Sequence, residues 1–261
     1  MTIANKTSLQ TQQTQRPDRV TALYIGLTYE DWNDNTLWLP MMRISWDDAG
    51  YYYHSFTQAF ADNYELVKGH VLNPKRGYTQ TWKDKRITGI FDGRIPRRAD
   101  SMSAYDLFGV GESKGDFISL FARNGGTRHG DRYDVFPEVT PNEAGEYEFW
   151  FRIYGLPTLI SEGHEEVRAI ADTIQPQQKL SLKTLASSTE IFGDKVHLGH
   201  CPSYIHYLLS QNPNCGYAIV ADIVNQDEFR YAYKIIAKLT VNSASSIYTN
   251  CAFKPINQMP V

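Results

Sequence analysis

Two groups of arginines in the middle of the chain are the residues whose type and spacing suit anion binding best. A guanidinium group presents a planar set of donors that binds a phosphate or a carboxylate through two parallel hydrogen bonds. Residues 75–132 contain twelve basic and seven acidic residues, whereas residues 18–66 contain two basic and eight acidic residues. The first group is Arg94, Arg97 and Arg98, and the second is Arg123, Arg128 and Arg132. These groups predict a local phosphate-binding patch.

The same arginines also fit a second interpretation, in which they form a solvated face or pair with acidic residues of the same chain. Three aspartates close to the first group are suitable partners, namely Asp92, Asp100 and Asp106. The surplus of positive charge over residues 75–132 is modest, so both interpretations stay open.

Consecutive tyrosines offer another kind of nucleic-acid contact, since exposed aromatic rings stack on bases. Side chains alternate between the two faces of a strand, so at least one of Tyr51, Tyr52 and Tyr53 is expected to be exposed. Exposed rings also cover the edges of sheets, and this role is the more common one.

The densest set of potential metal ligands lies near residue 200. His197, His200 and Cys201 occur within five positions, with His206 and Cys215 downstream. Residues three apart on a strand point to opposite faces, so His197 and His200 are not expected to converge on one ion. We therefore predict no metal site here and interpret the segment as a strand that runs into a helix beginning at a proline.

Four carboxylates on neighbouring predicted strands allow a nuclease hypothesis, because paired carboxylates hold Mg²⁺. They are Asp131, Asp134, Glu146 and Glu148. The lysine that usually follows such a glutamate is absent, since Phe149 stands in that position. Solvent-facing strand residues are the preferred interpretation, and a metal-dependent nuclease remains a third hypothesis.

Motifs and composition point away from an enzyme and from a membrane protein. The sequence carries no phosphate-binding loop of the Walker type, no nucleophile elbow and no kinase signature, so no catalytic residue and no cofactor are predicted. The 261 residues carry a net charge of −3, which excludes a general polyanion binder. The three cysteines form no paired framework, no apolar run could span a bilayer, and the first residues do not resemble a signal peptide. We expect a cytoplasmic protein.

Short strands and helices must position these groups. Close strand-like runs near the start predict an antiparallel meander, and the strongest strand pattern in the chain is at 147–154. The predicted strands are 21–27, 37–44, 51–56, 132–137, 147–154, 179–185, 195–200, 217–224 and 229–241. The predicted helices lie within 57–67, 116–122, 162–174 and 202–209.

One segment of the chain resembles a known family. Residues 193–205 read GDKVHLGHCPSYI, which is similar to the glycine-, proline- and aromatic-containing stretch of HIRAN domains. Upstream, Gly155-Leu156-Pro157 resembles the lead into that domain in stand-alone bacterial members. Residues 94–109 and 125–137 resemble two further stretches of those proteins, and residues 20–56 are loosely similar to the N-terminal subdomain of HipA-type kinase toxins.

The resemblance implies a small OB-like β-barrel that binds DNA, notably single-stranded 3′ ends. Two positions depart from the family pattern. Residues 186–191 read ASSTEI and lack the tyrosine and aspartate that help to line the family's DNA pocket, and Ser203 stands where the family has arginine. Barrel scaffolding is better matched than the pocket.

The sequence therefore predicts an α+β protein with three parts. These are a disordered tail over residues 1–19, a mixed α/β-meander domain over residues 20–158, and a HIRAN-like antiparallel β-barrel over residues 159–261. The predicted nucleic-acid contacts are Arg94, Arg97, Arg98, Arg128 and Arg132, together with Lys183, Lys195, Tyr204 and Tyr207 near the barrel groove.

The predicted function is that of a non-catalytic accessory protein that binds single-stranded DNA or DNA ends in prokaryotic genome maintenance or defence. The alternative is a subunit that binds a protein partner within a larger defence or toxin-related assembly. The acidic N-terminal part and the basic middle part would suit such a docking surface equally well.

Overall fold

The computed structural model of the chain describes residues 20–31, 36–70, 81–87, 94, 117–126, 132–223, 235–242, 248 and 251–256. The predicted tail lies outside these ranges, as do Arg97, Arg98 and Arg128. Within them the chain forms helices and antiparallel strands, which confirms the α+β class. No helix in these ranges is long and apolar enough to cross a membrane.

Eleven strands and six α-helices make up the described part of the chain. The strands are β1 (Val20–Glu30), β2 (Thr36–Trp46), β3 (Tyr52–Phe56), β4 (Trp82–Asp84), β5 (Tyr133–Val139), β6 (Tyr147–Arg152), β7 (Ser181–Thr184), β8 (Thr189–Gly193), β9 (Val196–His200), β10 (Gly216–Ile223) and β11 (Ile235–Asn242). The α-helices are α1 (Gln58–Asp62), α2 (Tyr64–Val67), α3 (Phe117–Asn124), α4 (Leu156–Ser161), α5 (Glu165–Thr173) and α6 (Ser203–Gln211), and short 3₁₀ helices cover Lys68–His70 and Cys251–Phe253.

The largest sheet has five strands in the order β4-β3-β2-β1-β5, and its neighbouring strands are antiparallel. Strands β1, β2 and β3 follow one another in the chain and lie side by side in this sheet, which confirms the predicted meander. The turn between β2 and β3 is held by Asp47, whose carboxylate accepts a hydrogen bond from the Tyr51 amide at 2.9 Å. The Gly50 amide donates to the carbonyl of Asp47 at 3.0 Å, which closes the turn.

Strand β1 is buried on both faces, so its sequence is continuously apolar rather than alternating. Leu23 and Ile25 face one cluster, which includes Phe60 of α1 and Phe121 of α3. Tyr24 faces the opposite way and belongs to a second cluster shared with the later strands. This strand therefore joins the two halves of the hydrophobic core.

Two further sheets have three strands each, in the orders β10-β11-β6 and β7-β8-β9. Strand β6 shows strict alternation, because Tyr147, Phe149 and Phe151 are buried while the residues between them are half-buried. Trp150 and Arg152 lie on the outer face, which is partly covered because Arg123 of α3 packs over the Trp150 ring.

Isolated bridges connect these two sheets. Tyr154 pairs with His200 beyond the end of β6, and Lys179 pairs with Val220 ahead of β7. The hydrogen-bonded ladders nevertheless remain separate open sheets, and the described strands form no closed barrel. Strand β6 precedes the predicted domain boundary at residue 158 and pairs with β11 beyond it; the boundary itself stays a prediction.

Several elements differ from the sequence-based expectations. The predicted helix within 57–67 divides at Asn63, whose side-chain amide donates to the carbonyl of Ala59 at 2.8 Å and ends α1. Strand β8 was not predicted, although Thr189, Ile191 and Gly193 alternate inward along it. Helix α4 lies in the segment that was interpreted as a boundary, and it begins directly after Gly155.

Stacked aromatic rings pack the large sheet against the later part of the chain. The Phe136 ring lies between Tyr24 and Tyr204, with centroid distances of 5.3 Å and 4.8 Å and nearly parallel planes. Trp38 and Phe253 contact the same ring from its sides. Because Tyr204 belongs to α6, this stack fixes that helix against β1 and β5.

Replacement of Phe136 by alanine should lower the free energy of unfolding by about 3–5 kcal/mol, because it opens a cavity between two buried rings. Equilibrium urea denaturation measures the change. The control is Tyr217→Ala, which removes a ring that is 46% exposed and should cost less than about 1 kcal/mol. Equal effects of the two substitutions would contradict the role given to the stack.

Candidate nucleic-acid interface at the end of β6

A surface cleft of about 290 Å³ lies where β6 ends and α4 begins. Its lining combines a guanidinium group, a phenol ring and small or apolar residues, namely Arg152, Ile153, Tyr154, Gly155, Pro157 and Thr158. The cleft exists because β6 stops at Arg152 and the chain turns at Gly155, which has a left-handed φ of 84°. A left-handed turn of this kind favours glycine.

Tyr154 is the central residue of the cleft. Its amide donates to the carbonyl of His200 at 3.0 Å, and the His200 amide donates back to the carbonyl of Tyr154 at 2.9 Å. The two rings meet edge to face with centroids 6.0 Å apart. The Tyr154 ring also lies beneath Arg152, whose guanidinium carbon is 4.8 Å from the ring centroid. The Tyr154 ring therefore contacts both the guanidinium group of Arg152 and the imidazole of His200.

Two glycines let the chain approach Tyr154 this closely. A β-carbon at residue 199 would lie 2.1 Å from the carbonyl oxygen of Tyr154, and Gly199 has a φ of 132° that side chains rarely adopt. A β-carbon at residue 125 would lie 2.2 Å from the hydroxyl oxygen of Tyr154. Any larger residue at either position would displace the tyrosine.

Three glycines from different parts of the chain lie next to this tyrosine. Gly125 and Gly199 approach it from two segments, and Gly155 follows it directly. Arg94 contacts the first of these segments, where its Nη1 donates to the carbonyl of Gly126 at 2.6 Å. Segments far apart in sequence are therefore brought together at one point.

Charged groups also lie on the outer face of β6 beside the cleft. The guanidinium carbon of Arg123 is 5.0 Å from the Trp150 ring centroid, and the Lys238 ammonium is 5.3 Å from it. Burial lowers the pKa of Arg123 to about 10, while Asp222 favours its charged form; it therefore stays charged at neutral pH. Lys238 pairs with Glu148 at 2.7 Å. Arg123 is 1% exposed and Lys238 is ion-paired with Glu148, so neither of them extends the cleft as an exposed positive charge.

The structure places several predicted contacts away from this surface. Tyr204 is 1% exposed and packed in the core, so its ring offers no face to a base there. Arg94 is also buried and bonds to the backbone rather than to solvent. Tyr207 is half-buried and packs on Trp38 at 5.1 Å. Tertiary packing gives Tyr204 and Arg94 buried structural contacts in place of the predicted exposure, whereas the half-buried Tyr207 stays a predicted contact.

The remaining predicted contacts are exposed or lie outside the described residues. Arg132 is exposed just ahead of β5, and Lys183 and Lys195 are exposed on β7 and in the turn between β8 and β9. Arg97, Arg98 and Arg128 belong to the segments that the structure does not describe. Sequence reasoning missed Arg152 and Tyr154 as site residues, because they ended a strand pattern and belonged to no charge cluster.

The carboxylates that were considered as metal ligands form other contacts within the fold. Within the described part of the chain, no three histidine, cysteine, aspartate or glutamate side chains are arranged to hold a metal ion. Asp134 accepts a hydrogen bond from the Trp38 indole at 3.1 Å, and Glu146 accepts one from Asn142 at 3.0 Å. Glu148 is paired with Lys238. These carboxylates have partners within the fold, and Asp131 lies outside the described residues.

The described residues form an α+β protein with antiparallel sheets and a surface cleft, lined in part by Arg152 and Tyr154, where two of those sheets meet. A scan against protein-family models, a search of curated proteins and a search of solved structures each found no match. Functional arguments for this chain therefore depend on its own residues and their geometry.

Replacement of Gly199 by alanine should lower the free energy of unfolding by about 3 kcal/mol, because strained backbone and a clash with Tyr154 add together. Urea denaturation gives the energy, and amide hydrogen exchange at Tyr154 and His200 reports on the bridge. The matched control is Gly50→Ala, where φ is 77° and nothing lies within 4 Å of the added carbon. That change should cost about 1 kcal/mol. If the Tyr154 and His200 amides stay equally protected from exchange in the Gly199→Ala variant, Gly199 is not required for the Tyr154–His200 bridge.

Proposed function

We propose that this chain is a non-catalytic nucleic-acid-binding accessory protein that holds single-stranded DNA or a DNA end at the cleft beside β6. One observation carries the proposal. The separate stretches that resemble the HIRAN-containing proteins converge on Tyr154, next to an arginine stacked on its ring. Convergence of this kind is expected of residues that build a shared site.

The chemistry of the cleft suits a nucleotide. Arg152 supplies a planar donor group for a phosphate, and guanidinium groups are the usual choice for that task. Because the Arg152 guanidinium lies over one face of the Tyr154 ring, the ring would contact a base through its edge rather than by stacking. The volume of about 290 Å³ lies near the lower end for small-molecule sites, which begins at about 300 Å³. A single nucleotide fits this scale better than a duplex.

The connections between the two three-stranded sheets support an OB-like arrangement of the HIRAN type. Beside the Tyr154–His200 bridge, the chain ahead of β7 pairs with β10. The Leu180 amide donates to the carbonyl of Ile219 at 3.0 Å, and the Ala221 amide donates to the carbonyl of Gln178 at 2.8 Å. Both sheets are therefore linked at two edges, as a partly open barrel would require. OB-like modules commonly bind single strands along such a surface.

Further phosphate contacts are proposed from the arginine groups. Arg97 and Arg98 follow Arg94 closely in the sequence, and Arg128 follows Gly126 by two residues. Arg132, Lys183 and Lys195 are exposed and are secondary candidates. The proposed setting remains prokaryotic genome maintenance or defence in the cytoplasm.

One observation favours the second candidate function, a subunit that binds a protein partner. Where the family's pocket stretch would fall, the chain forms a tight turn in which the Leu185 amide donates to the carbonyl of Ser188 at 2.8 Å. Strand β8 follows at once, so the residues are used for a hairpin. Leu185 is 39% exposed at this turn, and an exposed leucine suits a protein contact better than a phosphate.

Fluorescence anisotropy with labelled single-stranded, double-stranded and 3′-tailed DNA at about 50 and 200 mM salt tests the proposal. We expect binding to single strands that weakens with salt. Arg152→Ala should reduce the affinity about 10- to 150-fold, since a charge-assisted hydrogen bond contributes about 1.5–3 kcal/mol. Arg152→Lys should recover only part of the loss, because lysine keeps the charge but not the planar donor group.

The matched control is Arg86→Ala, which removes the same charge from an exposed position just after β4. It should leave the affinity nearly unchanged. The absence of binding at the lower salt concentration would refute the nucleic-acid function. Equal losses in the Arg152 and Arg86 variants would place binding elsewhere than the cleft.

A further inference from the structure

His200 places an imidazole at the rim of the cleft. Its backbone is fixed by the two hydrogen bonds to Tyr154. Its Nδ1 atom lies 3.4 Å from the position that a β-carbon would occupy on Gly155, a residue of the cleft lining. The residue is exposed, and among the described residues neither ring nitrogen has a hydrogen-bond partner. The two ring nitrogens of His200, one a donor and the other an acceptor in the neutral imidazole, therefore lie next to Arg152 and Tyr154.

The ionisable groups around His200 come from each element packed on it. Glu190 lies opposite His200 in the antiparallel register of β8 and β9. His197 lies three residues earlier on the same strand, and Arg152 and Tyr154 line the cleft from β6. Helix α4 begins with apolar residues, and α5 buries Val167 and Ala171; the remaining residues of α5 include the charged Glu165, Glu166, Arg168 and Asp172.

We propose that His200 is a second anion-binding group of the cleft, and that a phosphate binds there together with the uptake of one proton by its imidazole. The proposal rests on the proposed function, because it assigns the phosphate of a single strand to this cleft. Protonation makes both ring nitrogens donors, so a bound phosphate would be held by a guanidinium and an imidazolium together.

The environment of the free protein favours the neutral imidazole. Desolvation lowers the pKa of His200 from its usual value, His197 lowers it further, and Glu190 opposes these effects. A bound phosphate would favour the charged form and so raise this pKa. Between the pKa of the free protein and the higher pKa of the complex, binding takes up a proton. The affinity must then increase as the pH falls, by at most about tenfold for each pH unit.

The experiment measures the affinity for labelled oligothymidylate by anisotropy from pH 8 down to about pH 5.5 at constant ionic strength. Thymine and the phosphodiester do not change charge in this range, so a slope reports on the protein. The wild-type protein should gain about fivefold to tenfold in affinity across the range. His200→Gln should abolish the gain. His200→Lys should bind as tightly at pH 8 as the wild type does at low pH, with little pH dependence.

His164→Gln is the matched control, because it removes an exposed histidine that lies near Glu162, at 3.6 Å, beyond the far end of α4. This variant should keep the wild-type slope. A flat profile in the wild type, or an unchanged slope in His200→Gln, would overturn the proposal while leaving the nucleic-acid function standing.

A second measurement separates the two proposals. The His200 ring is titrated by NMR with and without inorganic phosphate, using chloride at equal ionic strength as the reference. A rise in the His200 pKa with phosphate supports the anion site even if no oligonucleotide binds, in which case only the nucleic-acid function fails. An unchanged His200 pKa overturns the proton-coupled site.

Discussion

Two backbone hydrogen bonds between Tyr154 and His200 are the constraint on which the rest of the cleft depends. They join the end of β6 to the end of β9, and so connect one three-stranded sheet to the other. Because each residue donates one of the two bonds, they fix the register of the chain after β6 against the end of β9. That register places Arg152 above the Tyr154 ring and the His200 imidazole beside it. The bridge therefore determines the shape and the chemistry of the surface.

A second set of contacts keeps this arrangement rigid from below. Phe136 stacks between Tyr24 and Tyr204, and the latter belongs to the helix that follows β9. The large sheet thus supports α6, and the strand that carries His200 packs against α5. Groups at a binding surface gain precision when packed elements hold them, since less freedom is lost on binding. Tyr204, which was predicted to contact a ligand, instead packs on Phe136 in the core.

Local patterns in the sequence predicted most of the elements but not their partners. The alternation from Tyr147 to Arg152 was sufficient to predict β6, and the apolar spacing around Val167 was sufficient for α5. The strand at Thr189 was missed, since a short segment after two serines carries a weak pattern. The site itself required long-range information. No local signal pairs Tyr154 with His200, and the burial of Arg94 depends on a carbonyl that a distant helix end supplies.

Strand order along the chain has a consequence for how the protein reaches its native state. Among the described strands, β6 pairs with the distant β11, and β1 pairs with β2 and with the distant β5. Pairings that link such distant segments close large loops and form slowly relative to local hairpins. During synthesis, the edge of β6 that pairs with β11 would stay unpaired until β11 had left the ribosome. The cleft at the end of β6 would then be among the last features of the described fold to form, after β11 has docked.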